Sequence, residues 1–192
     1  MDFNVAIKMI EILEKNGIKT PEELEKIFPS TKITDDYPTL ATIKVGDSRD
    51  MRRVLEDKKT NIVRLAEDLM NQKAYKDSIE TKEATVDLCS ATVKELTGKD
   101  RAVLYQIIDA VINKGFGLCK PEDCLRLREA YYGGKTYIIA MDPICGSNGD
   151  PHIFFVDCDL CGLWLNANSG SLSREWDGNC WFVFRRRSAV KA

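Results

Sequence analysis

A chain of 192 residues with 28 Lys/Arg against 30 Asp/Glu has a formal charge of −2, so no long-range field draws it onto nucleic acid or an anionic membrane. At this length a core forms without disulfides or a structural metal. No stretch approaches the roughly 20 apolar residues of a membrane helix, and the seven cysteines do not follow a secreted disulfide pattern. A cytoplasmic protein with reduced thiols, without a membrane partner, is expected.

In chain order, Phe3, Ala6, Ile7, Ile10 and Leu13 recur at helical spacing up to Asn16-Gly17, and Thr20-Pro-Glu-Glu23 opens a second helix that ends before Pro29. This pair resembles the opening of helix-turn-helix domains over about 27 residues, without a compact third helix to read DNA. The expected domain plan is a helical appendage, 1–36, and a main domain, 37–192, with helices over 48–131 and a sheet over 135–187. Thr39–Val45 alternates as one short strand. A helix is expected from Ser48 to about Lys73, with a break near Thr60-Asn61, followed by a polar loop over Tyr75–Lys82. Further helices are expected over 83–97 through Val86, Cys89, Val93 and Leu96, over 101–114, and from Pro121 to about Tyr131.

Beyond Gly133-Gly134 the pattern changes. Residues 135–141, 152–158, 162–167 and 180–187 read as strands separated by Asp142-Pro143, the Gly146–Pro151 turn and Asn168–Ser171. Residues 1–135 hold 23 Lys/Arg and 24 Asp/Glu, against 5 and 6 in the remainder, and all three Trp lie in the last 57 residues. The expected fold class is therefore α+β, with about six helices layered on a mainly antiparallel sheet of four to five strands.

The chemical candidates are few. Cys158-Asp-Leu-Cys161-Gly162 has the form of a zinc knuckle, and Cys145 and Cys180 would complete four zinc ligands, with His152, Cys119 and Cys124 in reserve. Zinc is possible but no cofactor is required, because buried thiols explain the same residues. Gly133-Gly-Lys-Thr136 ends like a phosphate loop, but it lies between helix and strand in the wrong order. Cys145 with His152 would make a thiol–imidazole dyad, and Asp157 and Asp159, with Asp150 or Asp142, would make a carboxylate pair. The chain has one His and no motif that orients either set. At the C-terminus, Arg185, Arg186 and Arg187, near Arg174 and Trp176, form a candidate surface for phosphates or for an acidic partner.

Gly149-Asp-Pro-His-Ile-Phe-Phe-Val-Asp157, followed by a Trp-containing strand, resembles the central signature of the SUKH family of toxin-immunity proteins, whose sheets bind and block partner proteins. The resemblance covers about 17 of 192 residues. In that family the signature follows soon after the N-terminal helices and a helix follows the sheet, so membership is not claimed and no residue role is carried over. The expected function is non-enzymatic binding that occupies a partner's surface, in its most concrete form a bacterial or phage-encoded inhibitor of a nucleic-acid-processing enzyme, of the immunity or anti-CRISPR type, with a nuclease or nucleoprotein as the expected kind of protein partner. The alternatives are a zinc-stabilised nucleic-acid binder using the Arg cluster, and an enzyme built on Cys145, His152 and the nearby Asp residues. Oligomeric state and partner identity stay open.

Overall fold

The computed structural model describes residues 37–187. The chain divides into two compact units, Met1–Lys32 and Ile33–Ala192; the second holds every described residue, and the expected helical pair in 1–36 lies outside them. The strands are β1 (Thr39–Val45), β2 (Thr60–Ile62), β3 (Ala84–Thr92), β4 (Arg101–Val103), β5 (Tyr137–Ile139), β6 (Ile144–Cys145), β7 (Pro151–Asp159), β8 (Gly162–Ser169), β9 (Glu175–Asp177) and β10 (Trp181–Arg185). The helices are α1 (Met51–Asp57), α2 (Arg64–Asn71), α3 (Lys73–Ser78), α4 (Val93–Thr97), α5 (Leu104–Asn113) and α6 (Pro121–Ala130).

The expectation of helices layered on a small antiparallel sheet is corrected. Eight strands form one strongly curled, half-barrel sheet in the order β1-β3-β10-β5-β7-β8-β2, with β6 on β7, and β4 and β9 make a separate pair. The large sheet is mixed, because β10 runs parallel to β5 and β2 parallel to β8 while the other pairs are antiparallel.

The largest single misreading is residues 83–97. Val86, Cys89, Val93 and Leu96 fit a helical period, yet Ala84–Thr92 is an interior strand with β1 on one edge and β10 on the other. Leu88 to Ala91 are buried in succession, and burial on both faces erases the two-residue alternation that would mark a strand. The helix begins only at Val93, where the Thr92 side chain and Glu95 cap each other's backbone N–H groups. The expected helix 101–114 likewise opens with three strand residues, and of the expected loop 75–82 the first four residues, Tyr75–Ser78, belong to α3 while the last four lie outside helix and strand. Gly46 joins β1 to the lead-in of β3: its φ is +75°, and a β-carbon there would stand 2.1 Å from the Lys82 carbonyl oxygen.

Inside the curl lies α6. Pro121 to Arg128 are eight consecutive buried residues, although four of them are Glu122, Asp123, Arg126 and Arg128. The helix packs against β1, β7 and β8 and against α1 and α3. Its ends suit the helix dipole, with Glu122 and Asp123 in the first turn and Arg128 in the last. Beside it, the rings of Tyr37, Phe116 and Phe184 meet at 4.8 to 5.6 Å between centroids, and Trp176 meets Phe182 at 5.4 Å.

Candidate functional site

The densest collection of charge surrounds α6, and it works as scaffold. Arg126 donates to Glu122 one turn earlier at 2.7 and 3.0 Å and to both oxygens of Asp47 at 2.7 and 3.1 Å. Burial would raise the Asp47 pKa, but hydrogen bonds from Arg126 and Arg49 hold it at about 2. Glu122 also accepts the Glu80 backbone N–H at 3.0 Å. Asp123 receives Arg185 in a fork at 2.5 and 2.6 Å and the Lys120 N–H at 2.9 Å. Burial works against the charge on Arg185, and the Asp123 fork outweighs it, so Arg185 holds its proton more tightly than a free arginine. Each of these carboxylates is occupied by a donor of the chain, which ties α6 to β1 and β10 and leaves no acid among them positioned as a base.

The thiol–imidazole dyad expected from the sequence is not assembled. Ile144 pairs with His152 and Cys145 with Pro151. Cross-strand partners share a face and successive residues alternate, so the Cys145 thiol and the His152 imidazole lie on opposite faces of the sheet. His152 is buried, and among the described residues neither ring nitrogen has a hydrogen-bond partner. Asp157 accepts the Thr136 hydroxyl at 2.7 Å. Asp159 accepts the N–H groups of Cys161, Gly162 and the Trp164 indole at 2.8 to 3.1 Å, and these donors, the Trp164 indole first, hold its carboxyl below the usual range. Asp150 accepts from Asn148 at 2.7 Å, and Asp142 is exposed in the turn after β5.

The four-thiol zinc set is not assembled. Cys145 lies opposite Pro151 at the start of β7, and Cys158 is seven residues further along that strand, about 23 Å away at roughly 3.3 Å per residue. Cys180 immediately precedes β10, two strands across from β7. Among the described residues, no three His, Cys, Asp or Glu side chains gather as a metal site.

The C-terminal arginines also part company. Arg185 is bound to Asp123 in the interior, and the Arg186 guanidinium donates to the Tyr37 carbonyl at 2.6 Å. Arg187 is exposed. Arg174 stacks over the buried Trp176 ring at 4.7 Å, so this pair of the expected residues does come together.

Around that pair the fold leaves an apolar surface. Leu104 and Tyr105 donate backbone N–H groups to Arg174 and Leu172 at 2.9 and 3.1 Å, which seats the start of α5 against the segment entering β9. Tyr105 and Leu172 are each 53% exposed, and Ile112, two turns along the face that carries Tyr105, is 40% exposed. At the other end of β9 lies a groove of about 720 Å³ lined by Lys94, Asp100, Lys135, Asp177 and Trp181. Its charges are largely paired off: Lys94 to Asp100 at 2.8 Å, Arg101 to Asp177 at 3.0 Å, and Lys135 over the Trp181 ring at 4.0 Å. Sequence reading missed Tyr105, Ile112 and Leu172; the available signal was that α5 carries apolar residues on more of its circumference than one buried stripe requires.

Comparison with protein-family models, with curated proteins and with solved structures returns no match.

Proposed function

We propose that this protein is a binding protein that acts by occupying a partner protein's surface, through the face formed by Tyr105, Ile112 and Leu172 beside the Arg174–Trp176 stack. The observation that carries the reading is the exposure of Tyr105 and Leu172, joined by a backbone hydrogen bond beside the half-buried Arg174, with Ile112 exposed two turns further along the same face of α5. Tyr, Trp and Arg are the residues that dominate binding energy at protein interfaces, and clustered apolar exposure of this kind marks interaction surfaces. The placement of Arg185 favours a protein over nucleic acid as the partner, since that side chain is committed to Asp123 and unavailable to phosphates.

The test is affinity capture from an extract of the native cell with wild type and with Tyr105→Arg combined with Leu172→Glu. Both positions are solvent-facing, so the variant should keep its melting temperature within the effect of about 0.5 kcal/mol usual for surface changes, while the stoichiometric complex is lost. A complex that survives this substitution overturns the reading. So does one that dissolves steeply with salt and depends on Arg187, which would point to nucleic acid. The identity of the captured protein tests the narrower idea of an inhibitor directed against a nucleic-acid-processing enzyme.

A further inference from the structure

The surface proposed for partner binding carries an unanswered charge. Arg174 is half-buried, its guanidinium stacks over the Trp176 ring at 4.7 Å, and its Nε is enclosed with no hydrogen-bond partner among the described residues. Trp176 is 6% exposed, and its indole Nε1–H is likewise enclosed and without an acceptor among them. Two stacked residues therefore hold two buried N–H donors with nothing to donate to. Buried donors in this state are uncommon in folded chains, and one on a cation is the costlier kind.

Acids lie close by in the chain, and the strand geometry turns them away. In the β4–β9 pair Ala102 is opposite Trp176, Arg101 opposite Asp177 and Val103 opposite Glu175, so alternation puts Glu175 and Asp177 on the face away from Trp176. Both are held there by Arg101, at 3.7 and 3.0 Å. Asp109, one turn along α5 from Tyr105, accepts from Asn113 at 3.1 Å. Among the described residues no carboxylate pairs with Arg174, while Leu172 and Tyr105 beside it are each 53% exposed.

We propose that Arg174 is the anchor of this surface and that the partner protein presents to it an aspartate or glutamate carboxylate with an apolar side chain alongside. The proposal rests on the reading of the Tyr105–Leu172 face as the binding surface. The carboxylate accepts from the Arg174 guanidinium, and the apolar neighbour covers Leu172 and Tyr105. Stacking on Trp176 fixes the guanidinium plane before the partner arrives, so little side-chain freedom is lost on binding. Covering the stack then removes water from a charge-assisted hydrogen bond and strengthens it. A carboxylate suits the site better than a phosphate. One guanidinium matches one negative charge, and the exposed Asp109 on the Tyr105 face repels a dianion more than a monoanion. A nucleic-acid backbone needs several cations together, and the neighbouring Arg101 is already taken by Glu175 and Asp177.

The partner need not be known for the test. N-acetyl-aspartyl-leucinamide is titrated into the isotope-labelled full chain up to about 50 mM, where contacts of millimolar strength register. N-acetyl-asparaginyl-leucinamide is the uncharged control and phosphoserine the dianionic one. The Arg174 Nε–H and Trp176 Nε1–H resonances should shift together and saturate with the aspartyl peptide, and stay in place with the asparaginyl peptide. Arg174→Met keeps an unbranched stem on the Trp176 ring and removes the unpaired charge. It should leave the melting temperature unchanged or raise it, and weaken the aspartyl peptide at least about tenfold, as read from Trp176 Nε1–H. Equal shifts with both peptides, or no shift with either, overturn the proposal. Tighter binding of phosphoserine does so too, as does a marked loss of stability in Arg174→Met, which would make the guanidinium part of the scaffold. The capture assay separates this proposal from the reading beneath it. A native complex lost in Tyr105→Arg with Leu172→Glu but kept in Arg174→Met removes the carboxylate anchor and leaves the surface standing, whereas a complex that survives both removes the surface as well.

Discussion

Replacing Asp123 by Ala removes an acceptor that takes three N–H groups, two from Arg185 and one from the backbone of Lys120. Asp123 has no exposed side-chain area and Arg185 retains 16%, so the guanidinium is left mostly buried without its counter-ion. Removing one member of such a pair costs about 3–5 kcal/mol, and loss of the helix-start contact adds about 1 kcal/mol. The Glu80 carboxylate, 3.3 Å from Arg185, retains part of the compensation, which puts the expected loss near the lower end of that range. For a domain of this size the melting temperature should fall by roughly 6–16 °C, at about 2–4 °C per kcal/mol. Asp123→Leu combined with Arg185→Met removes both charges and should return to within about 2 kcal/mol of wild type. Urea unfolding followed by tryptophan fluorescence reads all these species, and the double-mutant cycle isolates the coupling. A loss below about 1 kcal/mol in Asp123→Ala, or a double variant as unstable as the two single losses added together, would refute this account of α6.

Other outcomes follow from the same contacts. Because the folded-state pKa of Asp47 lies at about 2, below the ordinary aspartate value of about 4, its contribution is fully present above pH 4 and is lost as pH falls towards 2; Asp47→Asn should flatten an acid-unfolding curve in that window, and an unchanged curve would contradict the assignment. Gly46→Ala should cost at least about 1–3 kcal/mol from its left-handed backbone alone, with the Lys82 clash added, measured by thermal unfolding; tolerance would mean that the β1–β3 junction is misplaced. Thr92→Ala should cost about 1 kcal/mol through the lost cap of α4, with faster hydrogen exchange confined to Val93–Thr97.

Where local chemistry decides structure, the sequence could be read. β1 emerged over the expected residues, β7, β8 and β10 followed their β-branched and aromatic runs, and Pro121 marked the start of α6. Three things were not legible. β3 is flanked on both edges and buried on both faces through Leu88–Ala91, so its pattern carries no strand period. The extent and curl of the sheet depend on short pieces, β2 and β6, whose three and two residues are selected by their neighbours rather than by propensity. And α6 has the composition of a surface helix; only the distant partners Asp47 and Arg185 make its burial possible, and neither is identifiable from local spacing. At the candidate surface, Arg174 and Trp176 were anticipated, whereas Tyr105 and Leu172 come together through backbone contacts between segments 67 residues apart in sequence.

A charged helix, α6, forms the interior support of the curled sheet. Native-state hydrogen exchange of the Leu125–Arg128 amides tests it most directly. Exchange only through global unfolding, at the full stability of the domain and far slower than in α3, is the result expected from the burial of these residues. Exchange as fast as that of α3, with no dependence on global stability, would place α6 on the surface and contradict the account.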